Sequence, residues 1–156
     1  MEIRRACVAH ALRVWVQQRR GLAVEQAPTQ TVQKATFLDE KSWEEGAFRK
    51  VASHTLEELL DAVEEPAEEC VGSEFDAELS GDVLNLRLGA VRGTYVFNLQ
   101  TPNRQIWMSS PVSGPWRFHY NPERCQWYST RDGQSLGDKV GAELHQLIGV
   151  RISFPS

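Results

Sequence analysis

From about residue 42 the hydrophobic positions fall into a helical rhythm, with Phe48, Val51, Ala52, Leu56, Leu59, Leu60 and Val63 recurring at three- and four-residue steps. Pro66 disfavours helical geometry at Glu65, so the pattern predicts a helix end near there. Beyond it the period drops to two. Short alternating runs at 75–79, 83–88, 94–100, 105–109, 117–120 and 126–129 read as strands, separated by Ser-Gly-Asp at 80–82, Gly89, Gly93, Thr-Pro-Asn at 101–103 and Asn-Pro at 121–122. They predict one antiparallel meander. A second helix is signalled at Ser135, where Ser-x-x-Asp (Ser135, Asp138) offers a capping box and Leu136, Val140, Leu144, Leu147 and Ile148 form an apolar stripe. Helix, six strands, helix is an α+β order, in which two helices on one face of an antiparallel sheet leave the other face free to meet a partner.

The first 36 residues break this pattern. They are rich in arginine, poor in acid, and lose hydrophobic periodicity after Val24. They read as an organelle-targeting presequence, 1–36, ahead of a domain spanning 37–156. Glu2 and the absence of serine fit such a peptide less well. The apolar cluster from Ala6 to Val16 is interrupted by His10 and Arg13, so it predicts no membrane insertion. Cys7, Cys70 and Cys125 have neither Cys-x-x-Cys spacing nor the density of a disulfide scaffold, which disfavours a zinc or thioredoxin-like site.

The net charge of −4 conceals a segregation. Residues 1–36 carry six basic and two acidic side chains, residues 37–82 three and fifteen, and residues 83–156 eight and four, giving local balances of +4, −12 and +4. An anionic segment of that density gathers cations or a basic partner and argues against nucleic acid. On a helical wheel Glu57, Asp61, Glu64 and Glu65 lie together, with His54 on the same side, away from the leucine stripe. No Lys or Arg occurs from Val51 to Leu86, so their repulsion of roughly 0.2–0.5 kcal/mol per pair is uncompensated along the chain. Glu68, Glu69, Glu74, Asp76, Glu78 and Asp82 continue the charge, Asp76 and Glu78 facing outward if Phe75, Ala77 and Leu79 face in. Carboxylates are hard ligands suited to divalent cations, ferrous iron included. With no fixed ligand spacing, the expected binding is weak, multisite and exchangeable. Most acidic runs of this kind are merely solvated helix faces.

A second signal is more specific. Residues 93–117 read GTYVFNLQTPNRQIWMSSPVSGPWR, and G-T-Y-V-x-N-x-Q-T-P-N-x-Q-I-W-x-S-S-P-x-S-G-P-x-R resembles the signature of the frataxin family; V-L-x-L-x-L-G at 83–89, W-Y-S followed by D-G-x-S-L at 127–136 and the acidic first helix accompany it. The resemblance covers about residues 38–150. It implies a two-layer α/β sandwich in the mitochondrial matrix that binds ferrous iron through an acidic ridge and engages the cysteine desulfurase–scaffold complex of iron–sulfur cluster assembly, with ferrochelatase as a further candidate partner. Matched by position, the metal ridge falls on Asp61, Glu64, Glu65, Glu68, Glu74 and Asp76, to which the helical wheel adds Glu57, and the partner surface falls on Asn98, Gln100, Gln105, Trp107 and Arg117.

Strand alternation supports the partner surface without the family. Asn98 and Gln100 share one face of their strand, and Gln105, Trp107 and Ser109 share one face of the next, leaving Ile106 and Met108 for the helix side. A tryptophan among amides, with Arg117 nearby, suits a protein contact. Leu99 and Trp116 stand where the family often has basic residues, and Arg131 where it has His; the first two are expected to remove positive charge beside that surface. Three functions follow from the resemblance: an iron chaperone, an allosteric activator of the assembly complex, and a ferroxidase that oxidises and sequesters ferrous iron. No Glu-x-x-His pair of the di-iron type and no nucleophile-elbow motif are visible, which ranks the enzyme readings last.

Overall fold

The computed structural model describes residues 44–154; the predicted presequence, 1–36, lies outside them. Helix α1 spans Glu45–Val71 and buries Phe48, Ala52, Leu56, Leu59, Val63 and Ala67, one residue per turn along a single stripe. The expected end near Pro66 is incorrect. Pro66 has no N–H to donate to the carbonyl of Ala62, yet the helix continues. Ala67 is fully buried and Val71 packs against the core, and this burial beyond the proline offsets the missing bond. Gly72, at φ 65°, then ends the helix, with its N–H bonded to the Glu68 carbonyl.

Six strands follow: β1 Phe75–Ser80, β2 Val83–Leu88, β3 Thr94–Gln100, β4 Gln105–Ser110, β5 Gly114–Asn121 and β6 Gln126–Ser129. They form one sheet in the order β1-β2-β3-β4-β5-β6, every neighbouring pair antiparallel. The meander expected from the alternation is therefore present, and the bounds of β2, β3 and β6 coincide with the hydrophobic runs. Strand β5 begins earlier than its run because Ser110 pairs with Gly114 across a tight turn, so Pro115 and Trp116 are already in the ladder. Helix α2 covers Leu136–Ile148; the Ser135 side chain caps it by accepting from the Asp138 N–H over 3.1 Å.

Both helices pack on the same face of the sheet, α1 across β1, β2 and β3 and α2 against β6 and α1. The layer between them holds Leu84, Leu86 and Leu88 of β2, Tyr95, Phe97 and Leu99 of β3, Ile106 and Met108 of β4, Trp116, Phe118 and Tyr120 of β5, and Trp127 of β6. The Trp127 indole meets Phe48 edge-on at 6.0 Å and donates to the Thr55 hydroxyl over 2.9 Å, so its buried N–H is satisfied from α1. The segment after α2 folds back along it. Phe154 packs against Gly137 and Gly141, and a Cβ on Gly141 would come within 2.9 Å of the Ile152 carbonyl, which accounts for two glycines inside one helix.

Register corrects one sequence expectation. Leu99 and Trp116 lie on the helix side of their strands and are 4% and 7% exposed. They take no charge from the open face, because neither side chain points toward it.

Candidate functional site

Two surfaces hold the residues singled out in the sequence. The first is the solvent face of α1. Because the helix is unbroken to Val71, Glu57, Asp61, Glu64, Glu65 and Glu68 share one face at helical spacing, and all five are exposed. His54 joins them, with its ring nitrogens 3.8 Å from Glu57 and 3.4 Å from Glu58. Glu74 and Asp76 stand apart from this group. Glu74 lies in the turn between α1 and β1, its carboxylate against Gly89, whose φ of 86° favours glycine. Asp76 faces outward from β1 and pairs with Arg87 of β2 at 3.5 Å. Of the other acids, Asp82 is bound by Arg49 at 2.9 Å. Among the described residues no three His, Cys, Asp or Glu side chains converge as one chelating cluster. The helix face thus presents separate hard oxygens in a shared negative field, with water able to complete the shell of a cation.

The second surface is the open face of the sheet. Asn98 of β3, Trp107 of β4 and Arg117 of β5 are successive partners across the ladder, and Gln100 faces Gln105 two pairs along. Ile106 and Met108 point into the core, as the alternation predicts. Trp107 is half-buried in a polar frame: its indole N–H donates to Gln105 Oε1 over 2.8 Å, and the Arg117 guanidinium stacks on its ring at 4.6 Å. Gln105 is only 6% exposed and meets the His119 ring at 3.4 Å, so it braces the tryptophan from beside it. Asn98, Trp107, Arg117 and Thr130 line a hollow of about 510 Å³ on this face.

Sequence reasoning missed a third feature, inside the molecule. Glu143 of α2 is 5% exposed. Its Oε2 accepts from the Tyr95 hydroxyl at 3.0 Å and from Ser110 at 2.6 Å, its Oε1 accepts from Ser113 at 2.5 Å, and Lys139 approaches to 3.1 Å. Burial acts to raise its pKa, but the hydrogen bonds from Ser110, Ser113, Lys139 and Tyr95 outweigh it and hold the carboxyl below its ordinary range. Burial, and then the charge of Glu143, push the Tyr95 phenol up. Ser113 also accepts from the Trp116 indole at 2.7 Å, while Lys139 and Arg131 stack on the Trp116 ring at 4.1 and 4.2 Å. The signal was available: Glu143 sits seven residues after Leu136 and three after Val140, on the apolar stripe itself.

Comparison with known proteins agrees with this fold. A family model for the frataxin-like domain matches residues 41–150. The chain belongs to the frataxin family. Mitochondrial frataxin of Arabidopsis thaliana is 42% identical over 111 residues, covering 71% of this chain and 59% of that protein. The mitochondrial frataxin homologue of Schizosaccharomyces pombe is 38% identical over 69% of this chain and 67% of its own length. Trimeric frataxin from Saccharomyces cerevisiae, in its ferrous complex, superposes with a TM-score of 0.56 at 32% identity, covering 86% of this chain and 98% of that one. A frataxin from Psychromonas ingrahamii, at 18% identity and a TM-score of 0.60, shares the fold. These relatives make the chain a mitochondrial frataxin-family protein with a helix-covered sheet and one open face.

Proposed function

We propose that the chain binds ferrous iron as cargo on the exposed face of α1 and, docked through the open sheet face, delivers it to and activates the cysteine desulfurase–scaffold complex of iron–sulfur cluster assembly in the mitochondrial matrix. The observation that carries this reading is the separation of two unlike surfaces on one rigid fold. Glu57, Asp61, Glu64, Glu65 and Glu68 offer exposed carboxylates on a helix, while Asn98, Gln100, Trp107 and Arg117 offer a polar-framed aromatic patch on the opposite layer. Glu74 and Asp76 extend the acidic side as secondary ligands, Asp76 at the cost of its contact with Arg87. That a yeast relative is known in complex with ferrous iron supports the cargo. Separate exposed oxygens suit weak, exchangeable binding, which a donor needs if it is to release its metal.

The ferroxidase alternative is ranked lower on chemical grounds. A dedicated oxidation centre draws on buried carboxylate ligands. Glu143, the buried carboxylate among the described residues, has both oxygens committed to hydroxyl donors. The deciding experiment measures cluster assembly on purified desulfurase–scaffold complex, with and without this protein, at limiting and at saturating ferrous iron. Stimulation confined to scarce iron identifies a chaperone, and stimulation that persists at saturation identifies an activator. No stimulation in either condition overturns the proposal.

A further inference from the structure

The open sheet face is not evenly charged. Its β1 side carries Asp76 and Glu78, whereas the hollow beside Trp107 is bordered by Arg117 and Arg131 and has no acidic residue in its lining. Arg87, nearer β1, is paired with Asp76. Arg117 and Arg131 have no ion pair among the described residues: Arg117 stacks on Trp107, and Arg131 stacks on Trp116 and donates to the Pro115 carbonyl at 3.0 Å. Stacking fixes the plane of a guanidinium while leaving its edge N–H groups able to donate. Asn98 and Thr130 add neutral polar groups within the same hollow.

We infer that this hollow receives an acidic side chain of the docking partner, an Asp or Glu carboxylate presented on a short peptide segment and bound by Arg117, with Arg131 at the rim on the Trp116 side. The inference rests on the docking role proposed above and specifies its chemistry. The Arg117 guanidinium, held flat on the Trp107 indole and without a counter-ion among the described residues, matches the bidentate geometry of a carboxylate. A long polyanion such as nucleic acid is disfavoured, because the carboxylates of β1 and α1 on the same small molecule repel it. The volume, about 510 Å³, accommodates a few side chains rather than a whole helix.

The test titrates the full-length, isotope-labelled protein with a capped Gly-Asp-Glu-Asp-Gly peptide and with its amide counterpart Gly-Asn-Gln-Asn-Gly, following backbone amides and tryptophan indole signals by NMR. The acidic peptide is expected to shift Trp107, Asn98 and Thr130, with affinity falling about ten-fold or more in R117Q/R131Q and the amide peptide producing no comparable shift. Equal shifts from both peptides, or undiminished binding by the folded double variant, overturn the inference. Equal shifts from inorganic phosphate also overturn it, since they identify a general anion site. Should the double variant misfold, the peptide pair and its salt dependence on the wild-type protein decide alone. Failure of the peptide alongside dissociation of Trp107→Ala from the assembly complex discards the acidic anchor and leaves the docking role standing.

Discussion

The Tyr95 hydroxyl donates to Glu143 across 48 residues of sequence, joining the third strand to the second helix at 3.0 Å. It is one of three hydroxyl groups on a buried carboxylate that Lys139 also approaches, and the other two belong to Ser110 at the end of β4 and Ser113 in the β4–β5 turn. The network therefore holds that turn, and with it Trp116, against α2.

Tyr95→Phe removes one of these donors and leaves the carboxylate buried. Hydrogen bonds to charged groups contribute about 1.5–3 kcal/mol, so a loss of that order is expected in urea unfolding. A change below about 0.5 kcal/mol would show that Ser110, Ser113 and Lys139 satisfy Glu143 without the phenol.

Acid and alkali should destabilise the protein through different groups. The folded-state pKa of Glu143 is depressed, so its stabilisation is complete above the ordinary carboxylate range and is lost as pH falls through the folded value. Tyr95 and Tyr120 are raised, chiefly by burial, so their contribution is complete below the ordinary phenol range and is lost as pH rises above about 10. Melting curves across pH should show Glu143→Gln less stable at neutrality but with a shallower acid limb than wild type. Parallel acid limbs would remove Glu143 from the account.

Pro66→Ala should stabilise the domain. The helix already passes through this position, and alanine restores the N–H for the Ala62 carbonyl without asking α1 to change course. Proline costs about 3 kcal/mol in a helix interior, some of it already relieved by local adjustment, so a gain of about 1 kcal/mol or more is expected from chemical denaturation. A loss of stability would mean that the proline itself packs more tightly than its half-buried state indicates.

Changing Asp61, Glu64 and Glu65 together to Asn, Gln and Gln should weaken ferrous binding while preserving or raising stability. All three are exposed, so the change removes repulsion and no core contact. Calorimetric titration under anaerobic conditions, with a melting curve, checks both halves. Unchanged iron affinity would refute the helix face as the cargo site.

Trp107→Ala should separate docking from metal binding. Aromatic anchors at interfaces lose roughly 2 kcal/mol or more on truncation, so affinity for the desulfurase–scaffold complex should fall by about thirty-fold. Ferrous affinity should be nearly unchanged, because the indole faces the layer opposite α1. The stacked Arg117 and the bond to Gln105 make a modest stability loss of about 1 kcal/mol the expected side effect. Near-normal complex affinity in the folded variant would dismiss the sheet face as the docking surface.

Much of this was legible in the chain. The shift of period from helix to strand, with glycines and prolines at each reversal, determined the element order; strict alternation put Ile106 and Met108 in the core and Trp107 outside. The clustering of Glu57, Asp61, Glu64 and Glu65 followed from helical spacing alone. These features are local, and local periodicity reports which face of an element is apolar. What lay beyond it depended on partners distant in sequence. Whether α1 survives Pro66 was decided by the burial of Ala67 under a helix that docks on the sheet, a tertiary gain that outweighs one lost hydrogen bond. That Glu143 is tolerated on an apolar stripe was decided by three hydroxyls brought to it from β3, β4 and the β4–β5 turn. That Trp107 and Arg117 stack, and that Trp116 turns away from them, was decided by the register of β4 against β5, because only cross-strand pairing brings side chains ten residues apart into contact.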